Sequence, residues 1–367
     1  MLVTIVAGAR PNFIKIAPII SAIEQAKQNG KNLSYRLVHT GQHYDKKMSD
    51  DFFIQLGIPS PDNNLGAGGG TQAEQTAAIM IGFEKELNDN RPDLVLVVGD
   101  VTSTMACSIV AKKLNNIKVA HVEAGIRSCD MTMPEEINRI VTDSITDYFF
   151  TTSHQAGDNL KKAGVPQKSI FFVGNTMIDT LYKQMPNFKK PKLWDELALQ
   201  PEKYVVLTLH RPANVDEPDK LVELITAIAT SAPMLSILFP IHPRTAKILS
   251  KTNLSIQNLH IIEPLSYLEF NYLVKHSKVV VTDSGGITEE TTVMGIPCMT
   301  LRNNTERPET VLTGTNELLG TDASAIKPAF DKLLIGGWKE GAIPEKWDGK
   351  TSQRIVDHLL EIFDEKA

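Results

Sequence analysis

The sequence predicts an α/β protein built from two doubly wound parallel sheets, and three observations carry that expectation. Short β-branched apolar runs alternate with amphipathic segments of helical length, the pattern of βαβ units whose strands are buried on both faces. The pattern completes one set of strands by residue 173 and starts again at 204. A chain of 367 residues also exceeds what one hydrophobic core organises, so two domains are expected.

Taken in order, strands are expected at 2–7, 35–39, 93–98, 118–122, 147–151 and 169–173, with helices near 12–28, 45–56, 71–88, 102–114, 135–145 and 154–164. The second set of strands is 204–209, 235–239, 259–262, 278–282 and 297–301, and the chain closes on a helix at 351–365. Tyr182 to Leu199 is rich in Lys and Pro with few periodic apolar positions, and reads as the linker, with the boundary between Thr176 and Lys203. The expected division is 1–175, 176–350 and a terminal helix over 351–367. Two such sheets facing across a cleft would gather their strand-end loops around one ligand, because open α/β sheets bind at the carboxyl ends of their strands.

Composition excludes several function classes. The chain is 42% hydrophobic and 22% charged, ordinary for a globular protein. Its net charge is −5 and its basic residues are scattered, so no nucleic-acid partner is expected. Cys107, Cys129 and Cys298 are odd in number and far apart, which supports neither a disulfide framework nor a thiolate metal site and points to a reducing cytoplasm. The apolar start, Met1 to Ala7, is too short for a signal peptide and lacks a basic leader, and no later run is long enough to span a bilayer, so no membrane partner is expected. Gly66-Ala67-Gly68-Gly69-Gly70 follows no strand and lacks the spacing of a dinucleotide loop. It reads as a lid before the helix at Thr71, and no nicotinamide, ATP or other cofactor is expected.

The chemistry-bearing residues fall at strand ends. Gly8-Ala9-Arg10-Pro11-Asn12-Phe13-Ile14-Lys15 takes a buried strand into a helix with two cations in its first turns, where amides and dipole favour an anion such as phosphate. Asp100 ends the strand Leu94–Val98, Glu123 ends the strand Lys118–Val122, and Glu135 with Glu136 opens the helix after Pro134. Asp100 could cap the helix at Thr102 and Glu135 could complement a helix dipole. Glu123 follows a fully apolar strand, so it is either paired, with Arg127 or Arg139, or chemically employed. His210-Arg211-Pro212 and His242-Pro243-Arg244 end successive strands of the second half and suggest an anionic ligand. Thr282-Asp283-Ser284-Gly285-Gly286-Ile287-Thr288-Glu289-Glu290 is a strand, a small-residue turn and a helix start. Its glycines let amides approach a diphosphate, Ser284 adds a hydroxyl, and Glu290 can accept from ribose hydroxyls.

Gly8–Lys15, His39-Thr40-Gly41-Gln42-His43, Val98-Gly99-Asp100, His121–Arg127, Met133–Arg139, Leu209–Asn214, Thr282–Glu290 and Thr305–Glu309 run in this order through nearly the whole chain. Together they resemble the non-hydrolysing UDP-N-acetylglucosamine 2-epimerases. That resemblance implies two Rossmann-like domains arranged as in the GT-B glycosyltransferases, a homodimer, no nicotinamide, and a terminal helix packed back across the first domain. It places Ser284, Gly285 and Gly286 on the diphosphate with Arg10 and His210, Glu290 on the ribose and Phe270 against uracil, with Arg307 among the binding residues. Asp100, Glu123 and Glu135 would surround the sugar. The chain departs from many members in carrying Pro212-Ala213-Asn214 where they have two charged residues, and in its Gly-rich stretch at 66–70, a region where some bacterial members build an effector site.

The implied chemistry has a physical obstacle: the C2 proton has no adjacent carbonyl to acidify it. Departure of UDP from C1 leaves an oxocarbenium-like centre that does so, and a carboxylate then removes the proton to give a glycal. Lys15, Arg10 and His210 would stabilise the leaving diphosphate. Competing expectations are a GT-B glycosyltransferase on the same donor and a silent nucleotide-sugar sensor. Three acids on the sugar side suit proton exchange better than transfer to an acceptor.

Overall fold

The computed structural model describes residues 1–41, 53–114, 117–241, 243–252 and 254–364, and they divide into two compact units, Met1–Lys183 with Glu345–Ala367, and Gln184–Pro344. Gln42, His43 and His242 lie outside the described residues, as do the side chain of Arg244 and most of the helix expected near 45–56.

In the first unit the strands are β1 (Leu2–Ala7), β2 (Ser34–His39), β3 (Asn63–Asn64), β4 (Leu94–Val98), β5 (Lys118–Val122), β6 (Tyr148–Thr151) and β7 (Ile170–Phe172). They form one parallel sheet in the order β3-β2-β1-β4-β5-β6-β7. The second unit holds β8 (Tyr204–Thr208), β9 (Ser236–Pro240), β10 (Leu259–Ile262), β11 (Val279–Thr282), β12 (Cys298–Thr300) and β13 (Asn316–Leu318), parallel in the order β10-β9-β8-β11-β12-β13. The two-sheet α/β class is therefore what the sequence predicts. The short edge strands β3 and β13 went unforeseen, because two or three residues with Asn and Glu carry no apolar period.

Alternation along the strands builds each core. In the second sheet Val205, Leu207, Val279 and Val281 face the layer of helices Pro218–Ser231 and Ile326–Leu334, whereas Tyr204, Val206 and Val280 face the other layer with Leu273 and Val274. Successive side chains of a strand point to opposite faces, so a strand covered on both sides must be apolar at every position, as Leu94–Val98 is.

The last helix, Thr351–Asp364, belongs to the first unit and packs on helix Arg10–Gln28. Asp179 accepts hydrogen bonds from the Thr351 and Ser352 amides at 3.0 and 2.7 Å, satisfying the open start of that helix from a distant part of the chain. Trp347 is fully buried just before it and donates to the Thr152 carbonyl.

Candidate active site

Both sheets reverse their strand order beside their first strand, between β1 and β4 and between β8 and β11, and ligands of open α/β sheets bind at such points. The loops leaving those four strands hold most of the residues singled out from the sequence.

In the first unit the turn after β1 is closed by Asn12. Its Oδ1 accepts from the Gly8 and Ala9 amides at 3.2 and 3.0 Å, and its Nδ2 donates to the Val98 carbonyl at the end of β4. The two amides that an anion would meet at this turn are thus bonded internally. Arg10 is exposed at the first position of the helix, while Lys15 is buried one turn on, its Nζ 2.7 Å from Glu123 Oε2. Glu123 is 4% exposed and sits in the left-handed region at φ 71°. A non-glycine residue there is held against a local preference of roughly 1–2 kcal/mol, by amide bonds from Glu123 and Ala124 to the Phe150 carbonyl and by the Lys15 pair.

Asp100, which could have capped the next helix, instead turns to Arg139: Nε and Nη2 both reach Oδ2, at 3.0 and 2.5 Å. Nη1 of the same guanidinium reaches Glu136 Oε2 at 2.7 Å, and Glu136 also takes the Ser128 and Cys129 amides. Burial pushes the Glu136 carboxyl up, but the Ser128 and Cys129 amides and Arg139 outweigh it and hold it below the usual range. Arg127, the other partner considered for Glu123, lies 2.6 Å from Asp143. Glu135 is exposed in the first turn of helix Pro134–Ile145. Gly99, between Val98 and Asp100, has φ 70°, and a Cβ there would stand 3.2 Å from Lys15 Nζ, so glycine is what allows the ammonium to lie against the loop.

In the second unit Asp283 is the fully buried anchor. Its carboxylate accepts from the His210 and Arg211 amides at 3.0 and 2.9 Å, from Asn214 Nδ2 at 3.1 Å, and pairs with His210 Nδ1 at 2.7 Å. Burial pushes this carboxyl up, and His210 with the Arg211 amide and Asn214 holds it below the usual range. The exposed His210 ring is thereby fixed at the end of β8. Across the switch point Ser284 precedes helix Gly285–Met294 without using its side chain as a cap, so no hydroxyl competes for the amides of Gly285 and Gly286. One turn further, Glu290 is 4% exposed and accepts from the Tyr267 hydroxyl at 2.7 Å. Burial raises its carboxyl to about 7, with Glu289 adding to the push and Tyr267 and Asn271 opposing it. Arg307 pairs with Glu289, and Arg302 meets both oxygens of Glu306 at 2.7 Å. Phe270 is half-buried on helix Tyr267–His276 against the apolar layer.

Several structuring residues escaped the sequence reading: His121, Asp143, Asn12, Tyr267 and the anchoring role of Asp283. One signal for Asp143 was present. Glu136, Arg139 and Asp143 are spaced by three and four, a single helical face, and that face is buried while Ile137 and Ile140 of the same helix are exposed. Among the described residues no helix is long and apolar enough to cross a membrane, and no cluster of His, Cys, Asp or Glu is placed to hold a metal ion.

Comparison with known proteins bears on the chain as a whole. A family model described as UDP-N-acetylglucosamine 2-epimerase matches residues 25–360. The UDP-N-acetylglucosamine 2-epimerase of Methanocaldococcus jannaschii is 40% identical over 97% of this chain and 98% of its own length. A crystal structure of that organism's UDP-GlcNAc 2-epimerase in complex with UDP-GlcNAc and UDP matches with a TM-score of 0.86, covering 98% of this chain and 100% of the other. The UDP-2,3-diacetamido-2,3-dideoxy-D-glucuronate 2-epimerase of Pseudomonas aeruginosa is 38% identical over 99% of this chain and 100% of its own length.

Proposed function

The chain belongs to the UDP-N-acetylglucosamine 2-epimerase family, an isomerase family, and from that premise we propose that it interconverts UDP-N-acetylglucosamine and UDP-N-acetylmannosamine by inverting C2, for cell-surface polysaccharide synthesis. The observation that carries the proposal is the acid cluster at the strand ends of the first unit, in which Asp100 and Glu123 each hold their own cation. Lys15 Nζ lies 2.7 Å from Glu123 Oε2 and Arg139 Nη2 lies 2.5 Å from Asp100 Oδ2, so each carboxylate is held in place at its strand end. Glu135, exposed at its helix start, is the third acid assigned to the sugar.

The two units divide the work in this reading. In the second, the Gly285 and Gly286 amides with Ser284, and His210 set by Asp283, hold the diphosphate, and Glu290 takes the ribose hydroxyls. Phe270 lies on uracil, and Arg307 supports the same helix through Glu289. In the first, Arg10 and Lys15 steady UDP as it leaves C1, and the acids remove the C2 proton and return one to the opposite face. UDP then re-adds to C1. Incubation with UDP-N-acetylglucosamine in deuterated water should place deuterium at C2 of both epimers, and unlabelled products would overturn the elimination route. The P. aeruginosa relative acts on a diacetamido glucuronate, so turnover on UDP-N-acetylglucosamine should be compared with that substrate. A large preference for the latter would move the proposal to the modified sugar.

We also place the enzyme in the cytoplasm as a homodimer. The exposed free thiol of Cys129 suits a reducing compartment. Ile81, 72% exposed on helix Gln72–Asp89, and Ile137 and Ile140 on helix Pro134–Ile145 flank helix Thr102–Lys113 and leave apolar surface for a second copy. Sedimentation should return twice the chain mass.

A further inference from the structure

His121 does no chemistry in the scheme above, yet it is 0% exposed and sits where the acid-bearing elements of the first unit converge. Its Nδ1 lies 2.7 Å from Asp143 Oδ1, on the helix that carries Glu135 and Glu136. Its Nε2 lies 2.8 Å from the carbonyl oxygen of Gly99, the residue before Asp100. The ring itself hangs from β5 two residues before Glu123. A carbonyl oxygen and a carboxylate only accept hydrogen bonds, so the ring satisfies both neighbours when each of its nitrogens carries a hydrogen. A neutral ring with its lone pair on Nε2 would face the Gly99 oxygen unpaired in a buried place, which is unfavourable.

Asp143 has the donors to remain the acceptor in this pair. Its Oδ2 takes the Gly125 amide at 3.1 Å and Arg127 Nη1 at 2.6 Å. Burial pushes its carboxyl up, and His121 and Arg127 outweigh burial and hold it below the usual range. The neighbouring charges balance with an imidazolium included: Lys15, His121, Arg127 and Arg139 stand beside Glu123, Asp143, Asp100 and Glu136.

We propose that His121 is a positioning residue: a buried imidazolium that donates from both ring nitrogens and so fixes the Gly99–Asp100 turn relative to Glu123 and to helix Pro134–Ile145. The clamp is needed because Gly99, as a glycine, favours no one turn conformation, and Glu123 occupies the left-handed region against its own preference. A misplacement of about 1 Å at a reacting group can cost about 10²-fold in rate.

The proposal rests on Asp100 and Glu123 acting at the sugar, and two measurements separate its failure from failure of that reading. The first is the ¹⁵N spectrum of the histidine-labelled enzyme at pH 8, above the ordinary histidine pKa of about 6.5, where exposed rings are mostly neutral. One ring should show both nitrogens protonated. That signal should vanish in His121→Gln, or shift in Asp143→Asn should the former fail to fold. A spectrum at pH 8 without such a ring overturns the proposal whatever the activity. The second is kinetic: His121→Gln, checked for folding by calorimetric UDP binding, should lose about 10- to 100-fold in kcat with UDP affinity and KM within about twofold. Unchanged kcat, with deuterium exchange intact in the unmutated enzyme, sinks the positioning role alone. Absence of deuterium exchange in the unmutated enzyme would overturn the catalytic reading on which it stands.

Discussion

The two switch points of this protein share a topology and differ in how they treat charge. At the first, beside β1 and β4, the acids are joined to cations in interlinked pairs: Lys15 with Glu123, Arg139 with Asp100 and Glu136, and His121 and Arg127 with Asp143. Even the turn amides of Gly8 and Ala9 are consumed by Asn12. At the second, beside β8 and β11, Asp283 turns inward to hold the His210 ring, Ser284 leaves its helix uncapped, and Glu290 is buried with a tyrosine rather than a cation. The same strand order thus yields one set of loops whose carboxylates are held by cations and another whose helix start carries no side-chain cap. That difference suits the proposed division, in which an anion site keeps its amides open and a proton-transfer site keeps its acids placed.

Isosteric changes test that contrast most sharply. Asp100→Asn and Glu123→Gln should each lower kcat by roughly 10²–10⁴-fold while calorimetric UDP affinity stays nearly constant. If these variants lost UDP affinity and kept full turnover of bound substrate, the catalytic face would have been assigned to the wrong unit. The opposite pattern belongs to the second unit. Ser284→Ala and Glu290→Gln should weaken UDP binding by about 1–3 kcal/mol, with turnover falling as a consequence, and unaltered calorimetric affinity would remove both residues from the nucleotide site.

A smaller effect follows from Glu290 alone. Because burial raises its carboxyl from 4.5 to about 7, the native chain keeps a proton that the unfolded chain has released. Its contribution to stability is therefore full below about pH 4.5, falls as pH rises towards 7, and is level above that, with a slope on the order of 1 kcal/mol per pH unit. Denaturant melts of Glu290→Gln should lack this component, and an identical pH profile in the variant would show that Glu290 is not buried uncharged. The smallest effect on the fold is expected at the surface. Ile137→Glu should change folding stability by no more than about 0.5 kcal/mol yet lower the sedimenting mass to that of one chain. A variant that remains dimeric would place the interface elsewhere.

How far the sequence led depended on the kind of signal. The strand β4, Leu94–Val98, is apolar at every position, and its burial on both faces follows from that. The strand β13, Asn316–Leu318, forms because β12 presents it with an open edge, information that lies in another part of the chain. Likewise Glu123 stood out as a carboxylate after an apolar strand, but two cations nearby in sequence were the natural candidates for its partner. The lysine it meets lies 108 positions away.

The sequence by itself determined the two parallel-sheet units, their strand ends, and the acid, glycine and histidine residues that follow them. These are local properties, set by the period of apolar side chains and by the residue that follows each strand. The tertiary structure alone decided which charges meet: Lys15 with Glu123, Arg139 with Asp100 and Glu136, and His121 between Asp143 and the Gly99 carbonyl. A buried charge takes whichever partner the packing of distant elements brings within about 3 Å, and a pairing at that range leaves no period in the chain for a reader to find.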